Sequence, residues 1–368
     1  MTDINLILDK IIKKTEYMHK QIGVAMPYSV GKDGKYEDRS DTLPEQWTNG
    51  FYPGMLWLLY EETGNESYKD YAHKIDEKLA NAFKKPSLLH HDMGFMYMLS
   101  SAKNYELTGC EEAKERALLA AYVLASRYNI KSEYIRAWPG KEKKALGIID
   151  CMMNIPLLYW ASREEEDERF SYIADSFAHT IMRSHIRDDG SVNHIVEFNT
   201  ETGDIISSHG GQGYGYGSSW SRGQAWAISG FAQAYKWTKN PEYLAVAKRV
   251  ANYFIASLEG DYVPKCDFRQ PKEPHIVDTT AGVIAATGFV DIAESLPELE
   301  RDLYLDAAMK IIKTYDEKVC DWSLDNEAIV TMGTVDYHKQ EEIHIPLIYG
   351  DYYFVETVLK LKKYLERQ

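Results

Sequence analysis

Trp220-Ser221-Arg222-Gly223-Gln224-Ala225-Trp226-Ala227-Ile228-Ser229-Gly230-Phe231-Ala232-Gln233-Ala234-Tyr235-Lys236-Trp237 has the length of a helix and almost no polar face. A helix that is apolar nearly all round is buried on all sides. Thr238-Lys239-Asn240-Pro241 follows, a turn ending in a capping residue with proline at the first helical position. Beyond it Leu244, Ala247, Val250, Ala251, Phe254 and Leu258 recur at helical spacing on one face only. A buried helix, a polar turn and an amphipathic helix therefore form one unit.

The unit recurs loosely. Leu58-Leu59-Tyr60-Glu61-Glu62-Thr63-Gly64-Asn65 and Asn104-Tyr105-Glu106-Leu107-Thr108-Gly109 repeat the turn, with weaker echoes at Leu158-Tyr159-Trp160-Ala161 and Asp291-Ile292-Ala293-Glu294-Ser295. Ile148 to Ala161 is another apolar run, and Ile4, Leu8, Ile11 and Ile12 mark an amphipathic start. About six apolar segments alternate with about six amphipathic ones, and repeats of this length form solenoids or closed rings. A solenoid exposes one face of every helix. Fully apolar alternate helices require an inner ring wrapped by an outer one, so the pattern predicts an all-α (α/α)6 barrel. No Pro/Gly/Ser linker divides the chain, which reads as one domain over residues 1–368. Strand signals are confined to short loops such as Ser191-Val192-Asn193-His194-Ile195-Val196.

The charge balance, 42 basic against 56 acidic residues, gives −14. That surface repels nucleic acid and anionic membranes, so neither is an expected partner. Four scattered cysteines, the lack of a signal-peptide core and the lack of a long apolar run point to a cytoplasmic protein with free thiols.

Asn49, Asp92, Asp150, Ser219, Asp278 and Asp351 stand just before the apolar runs as expected helix caps. In a ring of parallel inner helices these N-termini open at one mouth, where backbone N–H groups favour an anion. Asp150 has apolar neighbours, and a second carboxylate nearby would raise its pKa further, as general-acid chemistry needs. Asn154, four residues on, shares its helical face. His90-His91-Asp92 hints at a metal, but adjacent histidines point to different sides and no HExxH spacing occurs, so structural or substrate bonding is the expected role. The glycines of His209-Gly210-Gly211-Gln212-Gly213-Tyr214-Gly215-Tyr216-Gly217 lack both a Gly-Lys-Ser/Thr ending and a preceding strand, so they predict a loop over a pocket rather than a phosphate cradle. Arg222 and Trp226 share one helix face, a pairing suited to a sugar acid. There is no GxSxG nucleophile motif.

Trp47-Thr48-Asn49-Gly50-Phe51-Tyr52-Pro53-Gly54, His91-Asp92-Met93-Gly94-Phe95, Asp150 with Asn154, and Ser219-Trp220-Ser221-Arg222-Gly223-Gln224-Ala225-Trp226 together resemble the unsaturated glucuronyl hydrolases, glycoside hydrolase family 88. The resemblance runs along most of the chain. It implies an (α/α)6 barrel, no metal and no cofactor. The implied substrate is a lyase-generated oligosaccharide ending in a 4,5-unsaturated uronic acid, cleaved by hydration of the vinyl ether rather than by displacement. By position Asp150 is the implied general acid and base, and Asp92 the partner carboxylate that holds sugar hydroxyls. Trp138, His194, Gln212, Arg222 and Trp226 match pocket positions, Phe51 matches an aromatic at the mouth, and Ser208 and Gly210 match more weakly. Gly333 to Lys339 has a lysine but no serine pair where some members read sulfate, so sulfate preference stays open. An unsaturated rhamnogalacturonyl hydrolase or an inverting glycosidase on the same fold is the first alternative. A non-catalytic sugar-binding barrel is the second.

Overall fold

The computed structural model describes residues 3–367. Six outer helices alternate along the chain with six inner ones. The outer helices are α1 (Ile4–Ile22), α3 (Glu66–Leu79), α6 (Glu111–Ser126), α8 (Glu168–Ser184), α10 (Pro241–Ser257) and α12 (Asp302–Lys318). The inner ones are α2 (Phe51–Thr63), a helix split by a π turn into α4 (Met93–Tyr97) and α5 (Lys103–Thr108), then α7 (Pro156–Glu165), α9 (Ser221–Thr238), α11 (Thr279–Glu294) and α13 (Ile348–Leu365). Each inner helix packs on the next, and α13 returns to α2, which closes the ring. Every residue of α11 except Glu294 is buried, whereas α8 buries one face. The apolar and amphipathic segments therefore take the inner and outer places that their patterns predict. The closed double ring is the (α/α)6 barrel that the pattern predicts.

The repeated turn has a local cause. Thr63, Thr108 and Thr238 each donate a hydroxyl hydrogen bond to the carbonyl four residues back (Leu59, Asn104 and Ala234, 2.6–2.8 Å). Each then accepts from the amide two residues on (Asn65, Cys110 and Asn240, 3.1–3.2 Å). One hydroxyl thus satisfies an orphan carbonyl at the helix end and braces the turn. The residue between is left-handed in all three: Gly64, Gly109 and Lys239. Asn65 and Asn240 then cap the following outer helix.

The expected caps at the inner N-termini need correction. Only Asp278 caps its helix, accepting from the Thr280 amide at 3.1 Å. Asp92 occupies a cap position without a cap bond, and Asp150 lies inside the 3-10 turn Ile149–Met153. Asn49 donates to the Leu43 and Pro44 carbonyls, and Ser219 accepts from Gln224. Asp351 accepts from the Ile329 and Val330 amides and from the Tyr36 hydroxyl. At Asp351 distant donors take the place of the local amides.

The Leu146–Ile148, Ile195–Phe198 and Ile205–His209 strands form a small antiparallel sheet beside the N-terminal ends of the inner helices. A strand therefore does precede the glycine-rich loop, contrary to the sequence reading. The loop is pinned to a second loop: Gln212 Nε2 donates to the Val335 carbonyl (2.7 Å), the Tyr337 amide donates to the Gln212 carbonyl (3.0 Å), and His338 Nε2 meets the Tyr214 carbonyl (2.9 Å). No helix of the described residues is long and apolar enough to cross a membrane, and the four cysteines are unbonded.

Candidate active site

The N-terminal ends of the inner helices meet in one cluster. Phe51 of α2 lies 5.4 Å from Phe95 of α4, and Phe95 lies 4.9 Å from Trp226 of α9. Arg222 of α9 reaches Asp278 and Thr280 at the start of α11, and its guanidinium lies 5.5 Å from the ring of Tyr349 on α13. Asp150, before α7, completes the circle.

Asp150 is the most perturbed acid here. Its side chain is 15% exposed, and its Oδ1 is buried with no hydrogen-bond partner. Burial, then the charge of Asp92, pushes its carboxyl up to about 8, while Arg222 and the Trp226 indole pull the other way. It is a carboxylic acid at neutral pH that is close to releasing its proton. Asn154 does share its turn, but the Asn154 amide reaches the Asp150 backbone carbonyl (3.2 Å), not its carboxyl.

Asp92 has the opposite setting. Burial pushes its carboxyl up, but His91, His90 and Asn154 together hold it below the usual carboxylate value. His90 Nδ1 lies 2.9 Å from Oδ2, and His91 Nε2 lies 3.1 Å from Oδ1. Asn154 Nδ2 reaches the same Oδ1 at 3.3 Å, while Asn154 Oδ1 accepts from the Phe95 amide at 2.8 Å. Gly94 permits this approach, since a Cβ there would lie 2.4 Å from Asn154 Cα. The two carboxyls, both acidic residues in one site, are thus driven to opposite charge states.

The histidine pair corrects the sequence reading. Both rings converge on Asp92, because its carboxylate presents an oxygen to each. The His90, His91 and Asp92 donor atoms lie within 4.8 Å of one another. Each inner nitrogen faces a different carboxylate oxygen, however, so one ion would have to break both contacts to be held. The arrangement fits a clamp of two rings on one carboxylate better than a metal centre.

His194 stacks on Trp220 with ring centroids 4.0 Å apart. The Gln212 amide donates to its Nδ1 (3.1 Å), so Nε2–H faces Asp150. Arg222 is 1% exposed. It donates to Asp278, Thr280 and the Thr334 and Val335 carbonyls, so its bonds join the barrel to the 333–339 loop. The expected pairing of Arg222 with an indole does occur, but the nearer one is Trp220, 4.5 Å from the guanidinium.

Trp138 is half-buried and lies 5.7 Å from His91. Phe51 is fully buried among Trp47, Phe95, Tyr349, Tyr352 and Tyr353 rather than exposed at the mouth; half-buried Trp47 meets it edge-on at 5.5 Å. The Gly210 carbonyl lies 3.3 Å from His194 Nδ1, the nitrogen that accepts from the Gln212 amide at the shorter 3.1 Å. Ser208 pairs through its strand with Val196. Sequence reasoning missed Trp47, Tyr349, Asp278 and the roles of His90 and His91. Trp47 and Asp278 stood in quoted motifs and capping positions, while nothing local marked Tyr349.

The family model of Glycosyl Hydrolase Family 88 matches residues 11–237. The unsaturated glucuronyl hydrolase of Bacillus sp. (strain GL1) is 35% identical over 353 residues, 94% of this chain and 93% of that protein. Its crystal structure superposes with a TM-score of 0.91 over 98% of this chain and 97% of that one, at 32% identity. The unsaturated chondroitin disaccharide hydrolase of Streptococcus pneumoniae is 32% identical over 98% of this chain and 92% of its own length. A Streptococcus agalactiae unsaturated glucuronyl hydrolase variant solved with dGlcA-GalNAc6S matches with a TM-score of 0.83 and 28% identity, over 97% and 90% of the two chains. With its acid pair, its barrel and these relatives, the chain belongs to glycosyl hydrolase family 88.

Proposed function

We propose that this family 88 hydrolase releases the 4,5-unsaturated uronic acid from the non-reducing end of glycosaminoglycan-derived oligosaccharides, by hydrating the vinyl ether. The observation that carries the reading is Asp150: a buried acid that keeps its proton at neutral pH beside an ionised Asp92. Asp150 gives its proton to C4, forming the C4–H bond, and the positive charge at C5 is shared with the ring oxygen. Arg222 and Trp226 favour the carboxylate left behind. That carboxylate takes a proton from the water whose oxygen bonds to C5. The C5 hemiketal then opens to a ketone, and the hemiacetal exposed at C1 expels the second sugar. Asp92 accepts sugar hydroxyls and keeps Asp150 protonated by its charge. His194, Gln212, Trp138 and Trp226 shape the pocket, with Phe51 beneath it and Ser208 and Gly210 in the loop beside it.

Buried polar atoms without partners support a polyhydroxylated ligand. Asp150 Oδ1, His194 Nε2, Trp226 Nε1, Trp220 Nε1 and Tyr349 Oη all belong to this cluster. The reading takes residues 1–368 as one catalytic unit and, on the four free thiols, places it in the cytoplasm. Lys339 pairs with Glu342 (3.3 Å) and Asp336 (3.8 Å), so its charge is already partly compensated where a sulfate would be read. The test is an ultraviolet assay. Lyase-generated disaccharides should lose the absorbance of their double bond, and matched saturated glucuronides should be left intact. Turnover of the saturated sugar alone would contradict the proposal.

A further inference from the structure

His90 holds one oxygen of Asp92, and its other contacts define a job. Nε2 lies 2.8 Å from the Glu45 carbonyl, an acceptor only, so Nε2 carries a hydrogen. Nδ1 then faces two groups. The Asp92 amide points at it from 3.3 Å, which suits a lone pair. The Asp92 carboxylate lies closer, at 2.9 Å, which suits a hydrogen. The shorter contact, to a full negative charge, favours the doubly protonated ring.

The neighbours require this charge to come from His90. The other ring on Asp92, His91, is tied through Nδ1 to the Ala137 carbonyl at 2.9 Å, a carbonyl that also accepts from the His91 amide and from Arg127. Its Nε2 stands 3.1 Å from Asp92 Oδ1 without a well-formed hydrogen bond. Burial pushes His91 down to about 4, so it is neutral at neutral pH. Arg127 is the other cation nearby, and it opposes a charge on either ring. Burial also opposes a charge on His90, but the bond and charge of Asp92 and the Glu45 carbonyl outweigh it and raise His90 above the ordinary histidine value. Among the described residues, Asp92 and Arg127 are the charged side chains that act most strongly on His90.

We propose that His90 is a positioning residue of the reaction: its imidazolium, pinned on the Glu45 carbonyl, holds the Asp92 carboxylate in place and offsets part of its charge. His90 acts through Asp92 and does not touch the reacting atoms. Without it Asp92 would swing free on one side, and its uncompensated charge would make the Asp150 anion harder to form.

The kinetic arm of the test rests on the hydration reading above; the spectroscopic arm does not. His90→Gln keeps an N–H for Asp92 but no charge, and His90→Leu keeps neither. His90→Leu should lower kcat/KM on an unsaturated disaccharide by about 10²-fold, the usual cost of a misplaced catalytic group, and His90→Gln should recover at least about tenfold of it. Both should move the alkaline limb of the kcat/KM profile to higher pH, by about half a unit or more. Equal losses in the two variants, or a limb that stays in place in both, would overturn the proposal, because a merely structural residue does not shift a limb. Nitrogen-15 spectra of the imidazoles in the free wild-type enzyme keep the question open to refutation even if neither variant folds. His90 should be doubly protonated at pH 7 and should lose that proton in Asp92→Asn. A neutral His90 in the wild type overturns the inference. A wild type that leaves the unsaturated disaccharide untouched overturns the proposed function instead.

Discussion

His194 Nε2 stands 3.7 Å from Asp150 Oδ1, and at neutral pH the contact joins two uncharged groups. A histidine this near a carboxylate ordinarily forms an ion pair. Here burial works against both charges. It pushes His194 down to about 3, with Arg222 adding to the effect, and Asp150 up to about 8 with the help of Asp92. The site therefore presents a neutral acid to its substrate and keeps a neutral imidazole beside it.

The pH dependence of rate follows from that acid. The active form of Asp150 is the protonated one, so kcat/KM should hold through neutrality and fall as pH rises through about 8. His194 should add no limb near the ordinary histidine value, because it stays neutral throughout. Initial rates from pH 5 to 10 check both statements. A profile that rises through pH 8 would contradict them.

Stability should respond in the reverse of the usual carboxylate sense. The folded state holds the Asp150 proton more tightly than the unfolded chain does, whose carboxyl has a pKa near 3.9. Its contribution to stability is fully present below about pH 4 and is lost as pH rises through about 8. Asp150→Asn should therefore stabilise the protein more at pH 8.5 than at pH 5 in urea unfolding. A gain that does not depend on pH would remove the buried-acid account.

Gly211 supports His194 from below. It is left-handed (φ +58), and a Cβ there would lie 2.2 Å from His194 Nδ1. Gly211→Ala should cost about 1–3 kcal/mol of strain and lower the rate by displacing the ring. Gly64→Ala is the control: φ is +68, but nothing lies within 4 Å of the new methyl. It should cost stability of similar size and leave kcat unchanged. Equal effects on rate would sever Gly211 from the site.

Arg222 carries a structural load besides its charge. Arg222→Gln leaves Asp278 buried without its cation, frees the Thr334 carbonyl and leaves the Val335 carbonyl with Gln212 alone. A loss of about 3–5 kcal/mol is expected from breaking such a buried pair, measured as a lower urea midpoint. Protease cleavage within 333–339 should also speed up, since the loop keeps its Thr334 bonds to Asp278 and Val277 but loses those from Arg222.

What the sequence revealed is what local physics writes into it. The apolar runs announced the inner ring because burial on all sides leaves no polar face. The Thr63, Thr108 and Thr238 turns repeated because each is closed by bonds within six residues. Asp150 stands out as an acid in apolar surroundings, and Asp92 as one just before an apolar run and beside two histidines. The rest depended on partners far along the chain. Arg222 meets the Thr334 carbonyl 112 residues on, and Asp351 spends its carboxylate on Ile329, Val330 and Tyr36. A local reading therefore mistook Asp351 for a cap. Alternation along a helix or strand sends His90 and His91 to different sides, whereas a turn lets both rings reach one carboxylate.

The most direct test of the central claim is the rate of absorbance loss from an unsaturated uronic-acid disaccharide by Asp150→Asn, set against the wild type at pH 7. If Asp150 is the proton donor, the variant should be folded and slower by about 10²–10⁴-fold, the range of a general-acid contribution. A near-normal rate in the folded variant would show that the buried acid does not drive the reaction.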